Sequence, residues 1–231
     1  AKALGCGVHI HLSETRGEVE EAKKKYGASP VGIAAKAGLF ELPVIAAHCV
    51  WVDDSDIELL SEYGVHVVHN PTSNLKLASG VAPVPRQIRE GIQVSLGTDG
   101  SASNNNLNMF EEMHLAALIH KGVSGEPTVM PAGKVLEMAT LGGARAAGIE
   151  DMVGTIEPGK KADVVLVSTE GLHLHPESDP LSALVYSAQA SDVTTVVCDG
   201  NVLMENRRLL TIDEEEVKRR AGEAAARITG R

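Results

Sequence analysis

Three of the predicted strands end in side chains that can bind a metal ion. Asp99 follows one apolar run, His48 ends another, and His11 lies at the end of a third with Glu14 shortly after it. Histidine and carboxylate are common ligands of Zn²⁺, and a catalytic zinc site keeps one position open for water. Glu14 could hold a proton for a leaving group or a ring nitrogen. The hypothesis is that these four residues converge on one metal site.

Each of these side chains also has an ordinary structural explanation. A single histidine at a strand end is more often structural or simply exposed, although three such strands together weaken that explanation. Glu14 could equally be a carboxylate at a helix N-terminus, where the helix dipole favours it. His9 shares a strand face with His11. We expect His11 to be the ligand and His9 to lie deeper, as a histidine of the core.

The remaining histidines are weaker candidates. His66 and His69 lie on opposite faces of their predicted strand, so at most one of them points towards the interior. His69 precedes a long polar loop, which makes it a candidate for substrate contact. Four other histidines are expected on the surface: His114, His120, His173 and His175.

Strands and helices alternate in the part of the chain that carries these residues. The predicted strands are residues 6–12, 44–48, 65–69 and 92–97. The predicted helices between them are residues 16–25, 30–39, 54–62 and 83–90. This alternation is typical of βα units in a parallel sheet. Two longer polar loops, 70–82 and 98–106, follow strand ends, where α/β proteins place their functional sites.

The pattern changes near Gly154. Before it, further helices are predicted at 107–121, 132–139 and 142–147. After it, strands are predicted at 162–167, 193–198 and 202–204, with a hairpin turn at Asp199, Gly200 and Asn201. A polar helix is expected at 214–228. The predicted organisation is therefore a βα unit over residues 1–153 and a small β unit with a closing helix over residues 154–231.

Composition narrows the classes of function. The chain has 231 residues and a net charge of −10, which argues against a nucleic-acid partner. Its apolar runs are all shorter than the roughly 20 residues that cross a membrane. The 3 cysteines are odd in number and widely spaced, which argues against a disulfide framework or a cysteine zinc site. A reducing, cytoplasmic setting is expected.

Five segments in order resemble a known family. They are residues 11–15 (His-Leu-Ser-Glu-Thr), 47–50 (Ala-His-Cys-Val), 70–80 (beginning Asn-Pro-Thr-Ser-Asn), 97–104 (Gly-Thr-Asp-Gly-Ser-Ala-Ser-Asn) and 154–163 (beginning Gly-Thr-Ile-Glu-Pro-Gly). Together they resemble the amidohydrolase superfamily. Within it they are most similar to the 5-methylthioadenosine/S-adenosylhomocysteine deaminases and their triazine-hydrolase relatives.

The resemblance implies a fold, a metal and a role for each candidate residue. The fold is a TIM-type (β/α)₈ barrel with a small β-sandwich, and the cofactor is one divalent metal, zinc first and iron second. His11 matches a metal histidine, and Asp99 matches the metal aspartate that also accepts a proton. Glu14 matches the general acid that protonates a purine ring. His48 matches a histidine beside the metal-bound water or the leaving group, not a ligand of equal standing.

One departure from the family pattern is large. The first metal motif of the family, a His-x-His after the first barrel strand, has no match, because His9 and His11 lie in the context of the fifth strand. The chain is therefore expected to supply strands five to eight and the C-terminal part of the sandwich. We expect it to be inactive alone, and to need a complementary N-terminal chain or self-association as a homo-oligomer.

The resemblance leaves the substrate and even the catalytic role open. The implied substrate is a small purine nucleoside with an adenine-type ring. A triazine- or guanine-type amidohydrolase is the alternative among enzymes. A non-catalytic α/β fragment that keeps the fold for binding or assembly is the alternative from another class.

Overall fold

A four-stranded parallel sheet carries the candidate residues. The computed structural model describes residues 1–176 and 179–230, and the strands of its first sheet follow one another in the order β1-β2-β3-β4. Their bounds are β1 (Val8–Leu12), β2 (Val44–His48), β3 (His66–His69) and β4 (Val94–Leu96). The connecting helices are α1 (Arg16–Tyr26), α2 (Pro30–Lys36), α3 (Asp54–Glu62), α4 (Pro71–Lys76) and α5 (Val84–Arg89).

The register of the sheet places the strand ends side by side. His11 lies opposite Ala47, and Leu12 lies opposite His48. Because the strands are parallel, their carboxyl ends meet at one edge. Side chains that follow these strands are therefore neighbours in space although they are far apart in sequence.

Capping residues fix where the helices next to this edge begin. The hydroxyl of Thr15 accepts a hydrogen bond from the backbone N–H of Glu18, and the backbone N–H of Thr15 donates to the Glu18 side chain. α1 therefore begins at Arg16. Asp53 and Asp56 form the same capping box at α3. A capping box satisfies backbone N–H groups that the first turn of a helix leaves free. The short connections after β1 and β2 are thereby held in one conformation.

The core lies between the sheet and its helices. Fully buried side chains come from the strands and from the helix faces towards them, among them Val31, Ile57, Leu60, Val67 and Val84. β1 alternates, since Leu12 is buried while His9 and His11 are exposed. One face of this strand therefore packs in the core, and the other presents its histidines to solvent.

Four helices lie between β4 and the next strand along the chain. They are α6 (Ser101–Asn104), α7 (Met109–Ser124), α8 (Ala132–Ala139) and α9 (Leu141–Ala147). α8 and α9 pack on β4, and α7 packs on α4 and α8. α6, in the loop after β4, also packs on α4.

The second sheet is antiparallel and small. It contains β5 (Val164–Val167), β6 (Val193–Cys198), β7 (Asn201–Glu205) and β8 (Arg208–Leu209). Asp199 and Gly200 have positive φ angles of 48° and 77°, as the predicted β-hairpin turn requires. The chain also forms α10 (Pro180–Tyr186), which packs on α7 and α8, and α11 (Glu214–Thr229), in which no residue is buried.

The structure corrects some predicted bounds. The predicted loop 70–82 contains α4, whose Pro71 stands at the first helical position, where a proline is well tolerated. The strand predicted at 92–97 is shorter, because the N–H of Ile92 donates to Gln87 instead of joining the sheet. α10 was not predicted. Within the described ranges, every helix is too short or too polar to cross a membrane.

Candidate functional site

Side chains from the ends of β1, β2 and β4 meet at the carboxyl edge of the parallel sheet. One ligand atom from each of His11, His48 and Asp99 lies within 4.8 Å of the others. The rings of His11 and His48 are nearly perpendicular, with centroids 4.8 Å apart. His48 is fully buried, Asp99 is half-buried and His11 is exposed. The three strand ends chosen from the sequence therefore converge, and they present a set of donors suited to a divalent ion.

The backbone at this edge is strained in the way that functional sites often are. His48 and Asp99 adopt positive φ angles of 73° and 60°, a region that residues with a Cβ seldom occupy. Ser13, in the neighbouring loop, has a φ of 50°. Its carbonyl accepts hydrogen bonds from the N–H groups of Val50 at 3.1 Å and Trp51 at 2.9 Å. These bonds hold the turn after His48 and so maintain its direction.

Hydrogen bonding fixes how His48 presents its ring. Its Nδ1 lies 2.8 Å from Oδ1 of Asn74 and 3.4 Å from Nδ2 of Asn70. The shorter contact decides the tautomer, because an amide oxygen only accepts, so Nδ1 carries the proton and donates it. Nε2 is then left with its lone pair, and it is buried without a hydrogen-bond partner. A buried lone pair without a partner is what a metal ion or an ordered water would satisfy.

Asp99 is held as an ionised carboxylate. Ser73, on α4, donates a hydrogen bond of 2.7 Å to its Oδ2. Partial burial acts to raise the pKa of Asp99, but hydrogen bonds from Ser73, the Gly100 backbone and Ser103 outweigh burial and hold the pKa below its usual value. The carboxylate is therefore available as a ligand or as a proton acceptor at neutral pH.

Glu14 lies beside His48 in the loop between β1 and α1. Its Oε2 is 3.7 Å from Nε2 of His48, and its Oε1 accepts a hydrogen bond of 3.3 Å from Ser79. The N–H of Glu14 donates to Glu18 at 2.8 Å, which anchors the loop to the first turn of α1. The indole of Trp51 donates to the carbonyl of Ser79 at 2.6 Å. Glu14 therefore faces the cluster from a loop held on two sides.

Four polar side chains that contact the candidate residues were not singled out from the sequence. Asn70, Ser73, Asn74 and Ser79 all come from the polar loop predicted at 70–82. The sequence feature that could have indicated these four residues is the loop itself, which is long and polar and follows a strand end. Which of its side chains turn inward depends on α4, which was not predicted.

The structure does not bring His69 into the cluster. Its ring is 1% exposed, and its Nε2 lies 3.2 Å from Nε2 of His120 on α7. The residue directly after β3, Asn70, does reach His48, at 3.4 Å. His120 was predicted on the surface and is 3% exposed, so that prediction is wrong. It lies on the face of α7 that packs towards the sheet.

Burial gives these histidines unusual titration behaviour. Desolvation lowers the pKa of His120 to about 4 and that of His66 to about 4. It also places the pKa of His69 well below its usual value. All three are therefore neutral at pH 7. None of them lies within the group of His11, His48 and Asp99.

His9 departs from its predicted core position. It is exposed and lines a cavity of about 670 Å³ at the amino ends of the strands, together with His66 and Arg145. The strand alternation was predicted correctly, since His9 and His11 do share a face. That face is open to solvent in this structure.

The fold and the donor set together define a class of protein. It is the class of α/β proteins that group histidine and carboxylate side chains at the carboxyl edge of a parallel sheet, a donor set suited to a divalent ion. The family described as the amidohydrolase family matches residues 1–203. The chain belongs to this family. Its structural neighbours there are of the TIM-barrel type, and its α/β content and parallel sheet agree with them.

Two similar sequences carry the same name. The chain is 57% identical over 228 residues to the 5-methylthioadenosine/S-adenosylhomocysteine deaminase of Acetivibrio thermocellus, covering 99% of this chain and 53% of that protein. It is 55% identical to the protein of the same name from Desulforudis audaxviator, with the same two coverages of 99% and 53%. The chain spans about half the length of the curated relatives that it matches.

Similar solved structures agree with the sequence comparison. An adenosine deaminase from Xanthomonas campestris, crystallised with bound zinc, matches with a TM-score of 0.96 and 39% identity, over 100% of this chain and 53% of that one. An atrazine chlorohydrolase from Arthrobacter aurescens TC1, in complex with zinc, matches with a TM-score of 0.89 and 29% identity, over 96% and 49%. The resemblance stated from the sequence motifs is confirmed by these matches.

Proposed function

We propose that this chain forms part of a metal-dependent hydrolytic deaminase that acts on the adenine ring of 5-methylthioadenosine or S-adenosylhomocysteine. The observation that carries the proposal is the grouping of His11, His48 and Asp99 within 4.8 Å, with Glu14 3.7 Å from His48. The names of the relatives at 57% and 55% identity supply the substrate class.

The donor chemistry fits a divalent metal, zinc first and iron as the alternative. His11 and Asp99 would hold it. His48, with the lone pair of its buried Nε2 free, would act as a further ligand or face the water beside the ion. When bound, such an ion supplies Lewis-acid activation of water near neutral pH. Imidazole and carboxylate together are the donors expected for this kind of ion.

The side chains of this chain would then divide the proton transfers among them. Asp99, kept ionised by its hydrogen bonds, would accept the proton of the attacking water. Glu14 would donate a proton to a ring nitrogen, which makes the neighbouring ring carbon more electrophilic. His48 would orient the water or the departing amine through Nε2. Water would add to the ring carbon, and Asp99 would pass the accepted proton to the amine. The carbon–nitrogen bond would then break, ammonia would leave, and the proton of the added hydroxyl would return to Glu14. The contact of His69 with the substrate stays a prediction.

The fold assignment can be made finer in the same proposal. β1 to β4 would correspond to strands five to eight of a (β/α)₈ barrel over residues 1–153. Residues 154–231 would form the second unit, a part of a small β-sandwich with its closing helix. We place the enzyme in a reducing, cytoplasmic setting, which the three free cysteines support.

We further propose that residues outside this chain complete the site, from a complementary N-terminal chain or from a second copy in a homo-oligomer. His11 is exposed, and the relatives are about twice as long as the stretch they share with this chain. Zinc titration of the purified chain tests this point. Weak binding without turnover is expected, whereas tight stoichiometric binding together with deamination would contradict it.

The catalytic proposal itself is tested by comparing leaving groups. The enzyme, complete and loaded with zinc, is expected to release ammonia from S-adenosylhomocysteine or 5-methylthioadenosine. The TM-score of 0.89 to an atrazine chlorohydrolase makes chloride release from a triazine the second candidate. A guanine deaminase from C. acetobutylicum with a TM-score of 0.76 makes guanine the third substrate to assay. Faster turnover of either alternative substrate would replace the proposed one.

A further inference from the structure

Glu112, on α7, is a carboxylate with no exposed surface and no contact with the proposed metal donors. Its Oε1 accepts a hydrogen bond of 2.7 Å from Nδ2 of Asn104. Its Oε2 accepts one of 3.2 Å from the backbone N–H of Thr72. Burying a carboxylate is costly unless its oxygens are paired. Both oxygens of Glu112 are paired, and they are paired with two different segments.

These two segments are the ones that hold Asp99. The Nδ2 of Asn104 also donates to the carbonyl of Thr98 at 2.8 Å, directly before Asp99. Thr72 is followed by Ser73, whose hydroxyl donates to Asp99 at 2.7 Å. One arm of the network therefore fixes the backbone beside Asp99, and the other fixes the hydroxyl that binds its carboxylate.

We propose that Glu112 is a positioning residue for Asp99, acting through the loop after β4 on one side and through the first turn of α4 on the other. The inference rests on the proposed function, in which Asp99 is a ligand and proton acceptor. Asp99 has a φ of 60°, a conformation that persists only when the surrounding structure enforces it. The Glu112 network supplies that enforcement from both sides.

The acceptor chemistry of Glu112 is the specific feature that the network uses. Its partners on both sides are N–H donors, and a carboxylate offers an acceptor to each of them. Burial raises the pKa of Glu112, and the hydrogen bonds from Thr72 and Asn104 oppose that rise. Glutamine has the same shape but only one acceptor oxygen, so E112Q would set an N–H₂ group against one of the two donors. The arms would no longer be held together.

Hydrogen exchange on the purified chain tests whether Glu112 holds the two segments, and it needs neither substrate nor metal. In E112Q, amides of residues 70–77 and 98–106 are expected to lose protection while those of β1 and β2 keep theirs. N104A, which removes one arm and keeps the carboxylate, is expected to expose residues 98–106 alone. D56N is the matched control, because Asp56 is also a buried carboxylate, 1% exposed, but ties α3 to Ser29. Unchanged protection at 98–106 in E112Q, or a loss spread evenly over the chain, would overturn the proposal.

Kinetics of the complete enzyme give the second readout. If Glu112 acts by placing Asp99, E112Q is expected to lower kcat by about 10- to 100-fold while KM changes by less than about twofold. S73A removes the hydroxyl through which the network holds the Asp99 carboxylate. Adding S73A to E112Q is therefore expected to lower kcat by a smaller factor than S73A lowers it in the wild-type enzyme. A higher KM with unchanged kcat in E112Q would overturn the proposal. Losses of kcat that multiply fully in the double variant would overturn it as well. A wild-type enzyme that releases no ammonia would contradict the proposed function only, since the exchange test needs no turnover.

Discussion

Acidification is expected to destabilise the fold through the buried histidine pair, and His120 allows the effect to be measured. His120 and His69 place their Nε2 atoms 3.2 Å apart, so a single proton shared between the two nitrogens satisfies both. Protonating the ring that accepts this hydrogen bond would place two N–H groups against each other, and protonating either ring would bury a charge. The neutral pair is therefore the form that the folded chain accommodates.

The size of the effect follows from the pKa of His120. Burial lowers that pKa to about 4, against 6.5 for an ordinary histidine. The unfolded chain then binds more protons than the folded chain between these two values, so stability is complete above pH 6.5 and falls as the pH drops towards 4. Between pH 7 and pH 5 the loss from His120 alone is about 2 kcal/mol.

Urea unfolding at pH 7 and at pH 5 measures this loss in wild type and in H120Q. Glutamine does not titrate, so H120Q is expected to lose about 2 kcal/mol less than wild type over this range, although it is less stable at pH 7. H9Q is the control, because it removes a histidine that is exposed. An identical pH dependence in wild type and H120Q would refute the reasoning.

Three further perturbations test the site and its frame. D99N is expected to lower ammonia release by at least about 100-fold with an unchanged far-UV spectrum, since it removes the proton acceptor; activity within tenfold of wild type would exclude that role. N74L removes the oxygen that fixes the His48 tautomer, and zinc affinity of the complete enzyme, measured by chelator competition, is expected to fall about 10- to 100-fold; unchanged affinity would show that the tautomer is set elsewhere. G97A would place a Cβ 2.7 Å from Asn70 and Val68, and should cost about 1–3 kcal/mol in urea unfolding. G122A, where a Cβ meets nothing within 4 Å, should be neutral or stabilising, and equal effects of the two glycine variants would contradict the packing argument.

Much of the fold could be predicted from the sequence because its signals are local. The alternation of apolar strands with capped helices predicted β2 at 44–48 and α8 at 132–139 with the bounds that the structure has. The Asp-Gly-Asn turn predicted the hairpin between β6 and β7. Where a bound depends on a distant partner, the prediction was less accurate. β4 is shortened by a bond from Ile92 to Gln87, which no local pattern reveals.

The candidate site was partly visible in the sequence for the same reason. His11, His48 and Asp99 stand at strand ends, and parallel pairing places such ends at one edge of the sheet. Because β2 and β3 lie between β1 and β4, the close approach of His11 and Asp99 does not follow from pairing alone. The residues that orient them were not predicted, because Ser73 and Asn74 reach the site only through a short helix inside an apparent loop. His120 was predicted on the surface but is 3% exposed. Its burial arises from packing of that helix towards the sheet.

His11 and Asp99 are proposed to hold a divalent ion at the edge of the parallel sheet. Anomalous diffraction at the zinc absorption edge, from crystals of the complete enzyme grown with zinc, tests it most directly. The expected result is one strong peak about 2.0–2.2 Å from a ring nitrogen of His11 and from a carboxylate oxygen of Asp99, beside Nε2 of His48. A peak bound elsewhere, or no peak between these side chains in an active enzyme, would contradict the account.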